Sequence, residues 1–161
     1  ETEVCYLNLL NKWYKSPIKI VSHIEGTKIT PSLVENRIKE LKISSRDKVY
    51  TFLMYDMEVE VVNEKLLKCK AEMLLSNPCF EIWLLLHIKD QKTAIKTAAL
   101  IKELKKIAPV WKNYNKSAFT DTQQSFLKDN TDVAVIRAKD LREFQNPSTG
   151  IYKLIEMLKK R

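Results

Sequence analysis

Apolar positions change their period along this chain, and the changes mark its elements. Tyr6, Leu9, Leu10 and Trp13 recur at helical spacing, which predicts an amphipathic helix over residues 2–14. Ser16-Pro17 ends it. In residues 18–24, Ile18, Ile20, Ser22 and Ile24 share one face at period two, which predicts a strand. Glu25-Gly26-Thr27 is a turn. Thr30-Pro31-Ser32 opens a second helix, where Pro31 suits the first turn. Leu33, Val34, Arg37, Ile38 and Leu41 follow on one side. Residues 49–55, VYTFLMY, form a near-continuous apolar and aromatic run. Such a run suits a strand buried on both faces of a parallel sheet. It stops abruptly at Asp56-Met57-Glu58.

A third helix is predicted near residues 63–70 and a short strand at 71–75, closed by Ser76-Asn77-Pro78. Residues 80–88 are apolar all round apart from Glu81 and His87, the pattern of a helix packed inside. Residues 92–107 predict an amphipathic helix with Leu100, Leu104 and Ile107 inward. Pro109 stops it, because Ala108 before a proline is biased out of the helical region. A loop over 109–118 leads to helices at 120–128 and 131–144. A last helix follows Asn146-Pro147-Ser148-Thr149, with Ile151, Leu154, Ile155 and Leu158 on one face. The first half alternates helix and strand, and the second is mostly helical. This predicts the α/β class, a parallel sheet flanked by helices on both sides. With 161 residues and no repeat or linker, residues 1–161 form one domain.

Composition narrows the function classes. Hydrophobic residues make up 45%, enough for a real core. No apolar stretch reaches the ~18 residues of a membrane-spanning helix. Gly26 and Gly150 are the only glycines, so neither a P-loop nor a G-x-G-x-x-G nucleotide site exists in these residues. Cys5, Cys69 and Cys79 are scattered, and His23 and His87 lie far apart in sequence. Neither a zinc site nor a disulfide framework is expected, and free cysteines suit a reducing cytoplasm. The chain opens on Glu1-Thr2-Glu3, already inside a predicted helix, and is expected to be part of a longer protein.

Lys and Arg total 28 against 20 Asp and Glu, a net charge of +8. That balance suits a nucleic-acid partner or, more blandly, a lysine-rich solvated face. Lys112 and Lys116 flank Tyr114, with Trp111 nearby, and aromatics between cations can stack on bases.

The sharpest chemical feature is the pair Asp56 and Glu58. If the strand persists, positions i and i+2 share a face, and two carboxylates can then share a cation. The carboxyl edge of a parallel sheet is where open α/β folds place their sites. Oxygen donors suit Mg²⁺ or Mn²⁺. The alternative is a pair of solvated acids after a strand. Glu1 and Glu3 also suit the N-terminus of a helix without any catalytic role. Ser76 and Asn77 are expected to cap the helix that follows. Glu81, one carboxylate in a run of large apolar residues, needs a partner or a metal if it is buried.

The stretch SNPCFEIWLLLH at 76–87 resembles the signature of the RloB-like family, found in bacterial restriction and phage-defence gene neighbourhoods. The opening ETE, YDME at 55–58 and NPSTGIYKLIEML at 146–158 resemble further family motifs in order and rough spacing. The resemblance implies a Toprim-like fold related to the nuclease domain of OLD-type proteins. In Toprim enzymes a Glu on the first strand-to-helix turn and an Asp-x-Asp after a later strand surround Mg²⁺. Carried over, Asp56 matches the first Asp, and Glu58 stands where a second Asp is usual. Glu3 matches the last Glu of a Glu-Gly-x-x-Glu type motif, whose leading Glu, with the first strand, is expected before Glu1.

The resemblance therefore implies a metal-dependent nuclease of a phage-defence system. Asp56, Glu58 and Glu3 are the expected catalytic metal ligands, and Asn77, Glu81 and Ser76 further ligands or their supports. Lys112 and Lys116 are the expected nucleic-acid contacts. The alternative is a catalytically degenerate binding or effector subunit acting with a partner ATPase.

Overall fold

The computed structural model describes residues 1–14 and 18–160. Seven α-helices and three strands follow in the order α1 (Thr2–Trp13), α2 (Pro31–Glu40), β1 (Phe52–Asp56), α3 (Glu60–Leu67), β2 (Glu72–Asn77), α4 (Glu81–Leu86), α5 (Thr97–Ile107), α6 (Asp121–Lys139), β3 (Ser148–Thr149) and α7 (Ile151–Lys159). The sheet is small and mixed, in the order β1-β2-β3. β1 and β2 are parallel, with Asp56 opposite Ser76, and β3 runs antiparallel to β2.

Strand alternation sorts the side chains into two layers. Phe52, Met54 and Leu74 face a large core built from α1, α4, α5, α6 and α7. Leu53, Tyr55, Met73 and Leu75 face a smaller one, where Val34 of α2 and Val62 and Leu66 of α3 pack. Helices thus cover both faces, as the apolar run in β1 predicts. Gly150 joins β3 to α7 hard against β2, its N–H bonded to the Leu75 carbonyl at 2.9 Å. A Cβ there would stand 3.1 Å from the Leu74 Cα and the Met73 carbonyl.

Several boundaries differ from the sequence reading, each for a local reason. Residues 18–24 are not a strand. The Asn11 side chain takes both backbone groups of Ile20, at 2.7 and 2.8 Å, so this segment pairs with α1 instead of the sheet. β1 begins at Phe52, and β2 runs on through Ser76 and Asn77, which the sequence marks as a turn. The helices expected at 120–128 and 131–144 are one, α6. Asn130 and Thr131 bond back to the Phe126 and Leu127 carbonyls, so polar residues that read as a break continue the helix. α5 starts only at Thr97, because Asn146 holds both backbone groups of Ile95 at 2.9 Å. The Ser16-Pro17 break lies outside the described residues.

Candidate functional site

Three elements that are remote in sequence bring acids together at the carboxyl end of β1. Asp56 is the last residue of β1, on the face of Met54 and the large core. α4 begins just beyond β2, and no side chain from the Ser76-Asn77-Pro78 stretch caps it. The cap comes from elsewhere: Asp56 Oδ1 accepts the Phe80 N–H at 2.7 Å. A carboxylate suits that position, since the first N–H groups of a helix have no partner inside it. Glu3, in the first turn of α1, acts on the same carboxyl through its charge.

Glu81, the first residue of α4, is only 1% exposed. Its Oε1 accepts the Tyr114 hydroxyl at 3.0 Å and pairs with Lys116 Nζ at 3.1 Å. Its Oε2 is buried and has no hydrogen-bond partner among the described residues. Thr2 Oγ1 lies 3.0 Å from the Tyr114 hydroxyl. Tyr114 and Lys116 come from the loop after α5. Edge contacts of Trp111 with Tyr114 and Phe119, and stacking of Tyr114 on Phe119, hold that loop.

The electrostatics follow from this geometry. Burial pushes the Asp56 carboxyl up, and the Glu3 and Glu81 charges push it further. The Phe80 N–H and the Lys116 ammonium oppose them, and the group reaches about 7. Burial alone would raise Glu81 too, but the Cys79 thiol and Lys116 outweigh it and leave Glu81 below its ordinary value. Burial and the neighbouring Glu81 raise Cys79, so this thiol is no nucleophile. Burial likewise raises Tyr114 and keeps its hydroxyl protonated.

The other expected site residues lie differently. β1 ends at Asp56, and Met57-Glu58 is a turn, so the two-residue period no longer applies. Glu58 is exposed, and its Oε2 accepts the Thr97 hydroxyl at 2.7 Å. Ser76 is buried, with its hydroxyl 2.9 Å from that of Thr149. Asn77 donates to the Phe144 carbonyl at 3.1 Å. Lys116 reaches into the acidic cluster, whereas Lys112 is exposed. Trp111 and Tyr114 are core residues, at 0% and 6% exposure, and are not free to stack on bases. Sequence reasoning passed over Thr2 and read Tyr114 only as a base-stacking aromatic; the one usable signal for their place beside Glu81 was that a buried Glu81 requires donors.

No three His, Cys, Asp or Glu side chains among the described residues stand close enough to share a metal ion. The groups that meet Glu81 are the Tyr114 hydroxyl, the Lys116 ammonium and the Cys79 thiol, and its Oε2 has no hydrogen-bond partner among the described residues. Carboxylate oxygens suit a hard cation such as Mg²⁺ or Mn²⁺, but here the Lys116 ammonium holds that place on Glu81.

The family described as RloB-like protein matches residues 1–158 of the chain. No curated protein and no solved structure matches it.

Proposed function

The chain belongs to the RloB-like family, and from that membership and its carboxylate cluster we propose a metal-dependent nuclease acting in bacterial phage defence. The observation that carries this reading is that the charges of Glu3 and Glu81, from two other elements, act on the strand-end Asp56, with one buried oxygen of Glu81 lacking a hydrogen-bond partner among the described residues. In this reading the small sheet is the remnant of a Toprim-like core whose first strand precedes Glu1, and the protein works in the cytoplasm.

Asp56 and Glu81 would hold Mg²⁺ or Mn²⁺, with Glu3 assisting. Glu58, engaged by Thr97, would lie at the rim of the site. The cation, when bound, neutralises charge on the scissile phosphate and lowers the pKa of a water molecule. Lys116, which pairs with Glu81, would stand beside such a cation and could meet a phosphate oxygen. Lys112, exposed on the same loop, would track the nucleic-acid backbone. Ser76 and Asn77 support the site by fixing the end of β2 against β3 and the loop before it.

The Lys116–Glu81 ion pair also favours a second reading, because it already satisfies part of the cluster without a metal. On that reading the chain is a binding or effector subunit of a partner ATPase. Cleavage of labelled DNA and RNA by the purified protein, with and without such a partner, separates the two. The nuclease reading requires cleavage that depends on Mg²⁺ or Mn²⁺ and is abolished by Asp56→Ala with the fold intact. Equal cleavage by the variant discards the site. Absence of metal-dependent cleavage in every condition leaves the effector reading.

A further inference from the structure

We infer that the outer face of α5, together with Phe144, is a track for a single strand of nucleic acid that leads to the acidic cluster. The inference rests on the nuclease reading above and names the form of its substrate. Neither that reading nor the family resemblance gives the α5 lysines or Phe144 a role.

The charge on α5 is concentrated and uncompensated. Residues 96–112 hold five lysines and one acid. That acid, Glu103, already pairs with Lys89. Lys96, Lys102, Lys105, Lys106 and Lys112 are all exposed, and none has an ion-pair partner among the described residues. The helix sets them in a stripe. Leu100 and Leu104 are buried, while Ala98, Ala99, Lys102, Lys105 and Lys106 recur three and four positions apart on the opposite face. The two alanines let a backbone lie close. A helix face that is merely solvated carries charges of both signs. This one carries lysines alone, and keeps its full charge for a polyanion.

An aromatic ring supplies the second, independent observation. Phe144 is 49% exposed, and its backbone has a φ of 65°, a left-handed conformation that a bulky residue adopts only at a cost. Its place is fixed from outside. Asn77 donates to the Phe144 carbonyl at 3.1 Å, and Asn146, two residues on, holds both backbone groups of Ile95 at 2.9 Å. The ring therefore stands between the end of β2 and the start of α5. Trp111 and Tyr114, which lie nearer the lysines in sequence, are core residues. Tyr50 is exposed too, but it precedes β1, at the opposite end of that strand from Asp56. Bases of a single strand have open faces, and a cationic groove with an aromatic platform holds such strands.

Both ends of the track are tied to the candidate site. At the start of α5 the Thr97 hydroxyl donates to Glu58. The loop after α5 carries Lys112 and returns Lys116 to Glu81. A strand lying on α5 with a base on Phe144 has its backbone at the sheet edge that carries Asp56.

The test is fluorescence anisotropy of labelled single-stranded and duplex oligonucleotides, DNA and RNA, with the purified protein in EDTA, so that binding is read without metal or cleavage. Wild type should prefer the single strand. Lys102→Gln, Lys105→Gln and Lys106→Gln together should weaken binding and reduce the slope of log K against log salt by about 2, since each phosphate contact on a single strand contributes about 0.7. The same change at Lys39, Lys42 and Lys70, exposed on α2 and after α2 and α3, should leave affinity and slope near wild type. Phe144→Leu should weaken single-strand binding by about 5-fold or more, and Phe144→Trp should keep it, both with thermal midpoints close to wild type. A loss in the α5 triple variant no greater than in the control triple overturns the track. So does a wild type that binds duplex as well as single strand, or binds neither, or a folded Phe144→Leu that binds like wild type. Single-strand binding in EDTA by a wild type that cleaves nothing with Mg²⁺ or Mn²⁺ supports the track and discards the nuclease. Cleavage that the α5 and Phe144 variants retain in full discards the track and leaves the nuclease.

Discussion

The two faces of the sheet use the same strands but are unequal cores. One face carries 23 buried hydrophobic residues among those described, including Trp83, Trp111 and the Leu84-Leu85-Leu86 run. The other carries seven, and its helix α3 leaves Val61 and Leu67 more than 70% exposed. The candidate site lies entirely on the dense face: α1, α4 and the aromatic loop supply Glu3, Glu81, Tyr114 and Lys116, and Asp56 points toward them. A site that buries Glu81 needs a rigid, dry surround to keep its donors in place. The sparse face offers no such surround, and of the expected site residues in the strands only Asn77 falls on its side. The carboxylates are thus set where packing is strongest, and the thinner layer closes the sheet behind them.

Core truncation tests the inequality most directly. Trp83→Ala should lower stability by about 3–5 kcal/mol, the range for a fully buried aromatic. Leu66→Ala on the sparse face should cost about 2 kcal/mol, the low end for a leucine, because a thin layer collapses more readily around the gap. Urea midpoints at constant m measure both. Equal losses would show that the faces contribute alike.

Titration sharpens the comparison, because the dense face holds two groups with opposite signs. Burial, and secondarily Arg137, lower the His87 imidazole to about 4, although its Nδ1 lies 2.8 Å from the Trp83 carbonyl. The unfolded chain takes up that proton near the ordinary ~6.5. Stability from a neutral His87 is therefore complete above pH ~6.5 and lost as pH falls toward 4, by about 3 kcal/mol in all. Asp56 runs the other way. Its folded value of about 7 exceeds its unfolded value near 3.8, so its contribution declines as pH rises from 3.8 to 7. The two slopes oppose each other between pH 4 and 6.5. His87→Gln should expose a stability that declines steadily with pH across this window. Asp56→Asn should expose one that rises.

A smaller effect follows at fixed pH. Asp56→Asn keeps an oxygen for the Phe80 N–H and removes a charge set beside Glu3 and Glu81. It should raise stability by about 1–2 kcal/mol at pH 8, and by much less at pH 4, where the folded carboxyl is protonated and carries no charge to repel Glu3 and Glu81. Thermal melts at the two pH values check this. No gain at pH 8 would mean that the cluster is already neutralised. Smallest of all is Ile24→Ser, at a position 75% exposed outside both cores. It should change stability by less than about 0.5 kcal/mol.

The sequence by itself determined the apolar run that β1 buries on both faces and the enclosed character of α4. It likewise determined the start of α2 at Thr30-Pro31-Ser32, where Thr30 accepts the Leu33 N–H. These depend on neighbours a few positions away, which periodicity and capping patterns capture. It also marked Asp56 as a strand-end carboxylate and Glu81 as a buried acid in need of partners. Only the tertiary structure decided what those partners are. Asp56 caps a helix 24 residues later, Thr2 reaches Tyr114 across 112 positions, and Lys116 pairs with Glu81. The same holds where the sequence misled: Asn11 drew residues 18–24 away from the sheet, and Thr97 engaged Glu58 after the strand had already ended. In each case a side-chain hydrogen bond from outside the segment overrode a local pattern, because a buried or pre-positioned polar group gains more from a fixed partner than a short segment gains from its own periodicity.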